Sequence, residues 1–224
     1  MSVGSFPRLT ALFGIVGAVA LGAHFFIPPH PPPINPSFTE LTEFGRRYRD
    51  SILVSAWLEG IGALLYIIFV LSVVHLAEGM NRLAGWITML SAGVILTLTL
   101  LDVAFIIAAV EAGSIGHAAT ATVSYDLVVN LATGDAVGHV LLIAPPLLLP
   151  LGIVILGSHV LPRVNGYLAV ALGLAMAALG FVSLFAAVDT VVTVVMLGQV
   201  LWVISAAVTL IIRSSTIQET AKSL

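Results

Sequence analysis

Few side chains in this 224-residue sequence can take or give a proton, and those that can are scattered singly among long apolar runs. Glu59 and Asp102 each interrupt an otherwise uncharged stretch, Gln199 lies within a third, and Asp135 and His139 stand four positions apart in a fourth. An ionised carboxylate is expensive in hydrocarbon, so such a group is turned into the protein interior, hydrated or protonated. Two acids facing one volume cannot both stay ionised cheaply, and one of them then holds a proton. That suits proton exchange or general acid/base work, and it suits a water-filled vestibule equally well. Asp135 and His139 share a helical face, where the aspartate can fix a histidine tautomer and leave the other ring nitrogen for a proton, a ligand or a metal. A helix cap or end-of-helix ion pair accounts for Asp135 as well. His24, at the end of the first apolar run, can join the same group.

Other chemistry finds less support. His24, Glu59, Asp102 and His139 are chemically suited to zinc or manganese, but they fall singly on different runs with no HxxxH, HExxH or paired ExxH spacing, so no metal ligands are assigned. Phosphate-loop, dinucleotide and GxSxG motifs are absent. Gly14, Gly17 and Gly22, and Gly60 with Gly62, lie inside apolar runs where they let helices approach one another. The catalytic residues and the cofactor therefore stay unassigned.

The elements that must position these residues follow from composition. Hydrophobic residues make up 59% of the chain and charged residues 8%, with no cysteine, where a soluble domain carries about 25% charged residues. The solvent for most of the chain is then lipid. The absence of cysteine removes disulfides, thiolate nucleophiles and cysteine-ligated metals. A formal charge of −3 without a basic stripe argues against nucleic acid as a partner. The expectation is an all-alpha, polytopic six-helix transmembrane bundle forming a single integral membrane domain over residues 1–224, with spans at about 9–26, 51–75, 83–110, 136–161, 167–188 and 190–212. The first run reads as a retained helix and not as a cleaved signal.

The connections have their own signatures. Prolines 28, 29 and 31–33 mark the chain leaving the membrane after the first span. The Pro36-Ser37-Phe38-Thr39-Glu40 stretch is a helix start, and the segment from there to Asp50 lies on the bilayer surface, lies over the helix bundle or forms a solvated connecting helix. Residues 112–134 form a second long connection with room for a short helix. Pro145, Pro146 and Pro150 bend or interrupt the fourth span, as a fixed kink or as a hinge that lines a cavity.

An even number of spans puts both termini on one side, together with Arg8, Arg82, Arg163, Arg213 and Lys222, which argues for cytoplasmic termini. Arg46, Arg47 and Arg49 fall on the other side and oppose that assignment. Counting along the spans places Glu59, Asp102 and Gln199 at a similar depth in the outer half. Ser55, Gly62 and Tyr66 share a face with Glu59, and Thr99 and Phe105 share one with Asp102. In its spans, its short loops and the Leu65-Tyr66 to Leu83-Ala84 stretch, the chain resembles small uncharacterised bacterial integral membrane proteins with six transmembrane helices. The resemblance implies a bacterial plasma-membrane location and no activity.

Three functions are compatible with these features. One is a small membrane carrier or ligand-binding protein with an outward-facing polar pocket, taking a proton-coupled small solute or an amphipathic ligand at Glu59, Asp102 and Gln199. Another is an intramembrane acid/base enzyme using His139 with Asp135, or one of the deeper acids. The last is a structural or regulatory subunit that assembles with copies of itself or with a membrane-protein partner. Membrane lipid is a partner in every case.

Overall fold

A backbone amide in hydrocarbon has no water to bond, so a chain this apolar satisfies its amides within helices. The computed structural model describes residues 6–24, 26–27, 37–132, 145–183, 185 and 189–222, and these are helical apart from short turns. In chain order the helices are α1 (Phe6–His24), α2 (Phe38–Leu76), α3 (Leu83–Ser114), α4 (Ala118–Ala132), α5 (Pro145–Leu156), α6 (Arg163–Ser183) and α7 (Asp189–Lys222), with a 3-10 turn at Gly79–Asn81 between α2 and α3. Among the described residues, five helices (α1, α2, α3, α6 and α7) contain stretches long and apolar enough to cross a membrane, one fewer than the six expected, and α5 is a shorter apolar helix. The architecture is that of an all-α, polytopic integral membrane protein. Of the expected span at 136–161, residues 145–161 are described, as α5 and the turns after it; Asp135 and His139 lie outside the described residues.

Ser37 starts α2 with a capping box. Its hydroxyl accepts from the Glu40 amide at 3.3 Å, and the Glu40 carboxylate accepts from the Ser37 amide at 2.8 Å. From there the helix runs unbroken for 39 residues. The arginine-rich segment anticipated as a separate surface or connecting element is thus the first turns of α2 itself. Charged side chains do not end a helix, because its hydrogen bonds are internal whether water or lipid surrounds it. The second long connection does contain a helix, α4, which buries Ala121, Ser124 and Tyr125. Gly116, at φ +79, supplies the left-handed turn that folds α4 back on α3. Ala109 and Ala112 of α3, Ala121 and Tyr125 of α4, and Leu41 of α2 then form a small separate core.

The bundle is a closed ring. α1 packs on α2, α2 on α3, α3 on α5, α5 on α6, α6 on α7, and α7 returns to α1. The main core fills it with Phe69, Val70 and Val73 of α2, Leu148 and Leu151 of α5, and Leu210 of α7, all with no exposed surface or nearly none. Between lipid-immersed helices there is little hydrophobic drive, so association rests on close packing. At Gly17 a β-carbon would come within 2.9 Å of the Tyr66 amide nitrogen and 3.1 Å of the Gly62 carbonyl oxygen, so α1 and α2 cross with their backbones in contact. α5 and α6 meet in the same way, with Gly152 against Val170 and Gly166. Large apolar side chains face outward, among them Leu12, Val19, Leu90, Leu174 and Ile212. Small residues where helix backbones cross and large apolar residues on the outer faces is the arrangement a lipid solvent selects.

Candidate functional site at the His24 end of the bundle

α1 provides an internal ruler. At its start the Phe6 ring meets His75 edge-on at 5.7 Å, and at its end His24 Nδ1 lies 3.0 Å from Ser55 Oγ. Ser55 to His75 is roughly 30 Å of helix, about the thickness of a hydrocarbon core. Residues 38–54 of α2 therefore project beyond the end of α1. The exposed face of α2 agrees, passing from Glu43, Arg46, Arg47 and Asp50 to Val54 and Trp57.

The ends of the bundle differ in character. At the Arg8 end, polar groups tie elements together: between α1 and α7 Arg8 Nε donates to Ser214 Oγ at 3.3 Å, and between two connections Arg82 donates to the Gly157 carbonyl at 3.0 Å. The His24 end holds the acids. Ser55 and Glu59 are one turn apart on α2, and Glu59 Oε2 comes within 3.9 Å of His24 Nδ1. That is too long for a hydrogen bond and near enough for charge to be felt. Across the α2–α3 interface a β-carbon at Gly60 would sit 3.8 Å from Val103 and 3.9 Å from Leu100, which sets Asp102 at the depth of Glu59. The two carboxyls are close enough for their charges to repel. Glu59 Oε2 and Asp102 Oδ1 are both buried and have no hydrogen-bond partner among the described residues. A buried acceptor without a donor is costly, and lowering that cost takes a proton, a water or a ligand with a donor. Chemically, the arrangement gathers an imidazole, a hydroxyl and two carboxyls about a turn inside the end of α1.

The remaining candidates fall elsewhere. Gln199 was counted level with the acids, and its Nε2 donates to Tyr66 Oη at 3.0 Å, two turns beyond Glu59 along α2. Asp135 and His139 lie outside the described residues, so the only imidazole described beside the acids is that of His24. Pro145 is the first described residue of α5, and Pro150 lies within the helix. Among the described residues no group of three or more His, Asp and Glu side chains is arranged to hold a metal. Ser55, buried and central to the cluster, entered the sequence reading only as a neighbour on the Glu59 face; its spacing of four from Glu59 was the available signal. A separate hollow of about 440 Å³ lies along α3 between Met89 and Leu98. Its lining is apolar except for Thr97, whose hydroxyl donates to the Gly93 carbonyl at 2.9 Å, so it offers no reactive group.

Beyond the membrane the α2 extension is held by Arg49, which pairs with Glu111 of α3 and lies 3.4 Å from Asp50. The hydroxyl and amide of Ser37 hold the Glu40 carboxyl below the usual carboxylate range. No family model, no curated protein and no solved structure matches the chain.

Proposed function

We propose that the protein is a small membrane carrier or ligand-binding protein whose polar pocket lies at the His24 end, built from His24, Ser55, Glu59 and Asp102. The observation that carries this reading is the pair of buried carboxyl oxygens on adjacent helices with no donor supplied by the described residues. A purely structural pair of acids is expected to find hydroxyl or amide donors within the bundle. Gln199 donates to Tyr66 two turns along α2 from Glu59.

The topology belongs to the same proposal. α5 fills a place in the ring between α3 and α6, which supports a sixth crossing at that place. The ties at the Arg8 end collect Arg8 and Arg82 on one face, with Arg163 at the start of α6 beside the end of α5. By the preference of positive charge for the cytoplasm, that end faces inward in a bacterial plasma membrane and the pocket faces outward.

The test is reconstitution into liposomes, with proton flux followed by an internal pH dye and solute binding followed by thermal stabilisation with methylammonium, guanidinium, acetate and a neutral amide. Wild-type protein is expected to give flux or stabilisation that falls at least tenfold in Glu59→Gln and Asp102→Asn. A signal indifferent to both substitutions would eliminate the acids as its basis.

A further inference from the structure

We infer that Ser55 is a positioning residue that holds the neutral His24 ring with its proton on Nδ1, making Nε2 the ring atom that accepts a proton or a donor in the pocket. The use of Nε2 rests on the carrier or ligand-binding reading above, whereas the tautomer stands on geometry alone. Ser55 Oγ has two close neighbours on one residue: the His24 carbonyl oxygen at 3.3 Å and His24 Nδ1 at 3.0 Å. A hydroxyl carries one hydrogen and a carbonyl can only accept. Both contacts are hydrogen bonds in a single arrangement, in which the hydroxyl donates to the carbonyl and Nδ1–H donates to the hydroxyl oxygen.

The other arrangement gives the serine hydrogen to Nδ1. It leaves the hydroxyl and carbonyl oxygens facing each other at 3.3 Å without a hydrogen between them. It also leaves a bare, negatively polarised Nδ1 within 3.9 Å of Glu59 Oε2, one acceptor near another. Ser55 is 5% exposed, so little solvent reaches it to relieve either opposition. Glu59 of α2 faces the ring and favours an N–H over a lone pair, and the Asp102 charge of α3 acts on Glu59. The backbone contact of Gly17 with Tyr66 and Gly62 holds α1 in the register that brings His24 to Ser55. A proton arriving at Nε2 then leaves Nδ1–H where it was and places the imidazolium charge beside the Glu59 carboxylate.

The experiment is nitrogen-15 NMR of histidine-labelled full-length protein in lipid nanodiscs, with the His24 signals identified by their loss in His24→Gln. Wild-type protein at a pH where His24 is neutral is expected to show the Nδ1–H tautomer. Ser55→Ala is expected to lose that preference and Ser55→Thr, which keeps the hydroxyl, to restore it. An Nε2–H tautomer in the wild type, or a Ser55→Ala spectrum identical to it, overturns the inference. Should Ser55→Ala not fold, the wild-type and Ser55→Thr spectra decide. In liposomes, Ser55→Ala is expected to shift the pH profile of proton flux while Ser55→Thr leaves it in place. An unmoved profile beside a changed tautomer overturns the role of Nε2, and flux insensitive to Glu59 and Asp102 as well would remove the carrier reading while the tautomer stands.

Discussion

The two lengths of α2 on either side of Gly62 keep different company. Toward Leu76 the helix buries Phe69, Val70, Val73 and Val74 in a dry core shared with α5 and α7. Toward Phe38 it carries Ser55 and Glu59 beside His24 and Asp102, and two buried carboxyl oxygens there lack donors among the described residues. The contrast teaches that rigidity and unsatisfied polarity have been separated along one helix. Backbone-to-backbone crossings fix the register in the first region, and that register holds the polar groups of the second in place although their own hydrogen bonds are incomplete.

The sharpest way to break the comparison is Gly17→Val. The new side chain meets the Tyr66 amide and the Gly62 carbonyl, backbone groups that cannot swing aside, and overpacking of this kind costs about 1–3 kcal/mol or more. Loss of the monodisperse species in detergent after mild heating is the readout, and an unchanged midpoint would show that the crossing is not the rigid part. Glu59→Gln makes the opposite test at the polar end. It removes a buried ionisable group, so folded stability is expected to hold or to rise by about 1 kcal/mol while pocket binding is lost; a large destabilisation in a thermal melt would make Glu59 a structural member instead.

Smaller effects sharpen the boundary between the regions. Tyr66→Phe removes the acceptor of Gln199 and is expected to cost about 0.6 kcal/mol, the average for hydrogen bonds between transmembrane helices, measured by unfolding in mixed micelles. Arg49→Gln breaks a pair whose side chains are 43% and 45% exposed. Its expected cost is about 0.2–1 kcal/mol, disappearing in high salt. At the start of α2 the Glu40 carboxyl has its pKa lowered by Ser37. The capping box therefore contributes fully above the ordinary carboxylate pKa and is lost as pH falls through the lower folded value. Lower protection of the first α2 amides in acid, relative to their intrinsic exchange rates and recovered at neutral pH, is the matching observation.

Much of this was legible in the residues. Apolar runs of spanning length and Ser37 with Glu40 announced the helices and one of their starts, because both signals are local. Glu59 and Asp102 could be set level by counting, since rise per residue is constant. The same counting put Gln199 with them, yet its amide turned to Tyr66: depth along an axis says nothing about the direction in which a side chain points. The continuity of α2 was hidden behind Arg46, Arg47, Arg49 and Asp50, whose charges resemble a boundary but leave the backbone ladder intact. The meeting of His24 with Ser55 depends on which helices are neighbours, information that no single run contains.

The ending of α1 near His24 has a consequence for the membrane around it. α1 gives way to a turn at Phe26 and Ile27 just past His24, whereas α2 and α3, at 39 and 32 residues, have length to spare. In a thicker sheet of lipid the longer helices can straighten, but the end of α1 sinks below the headgroups and takes His24 and its neighbours away from water. Acyl-chain length in the surrounding lipid is thereby a control on the hydration of the acids, exerted with no change in the protein's own contacts.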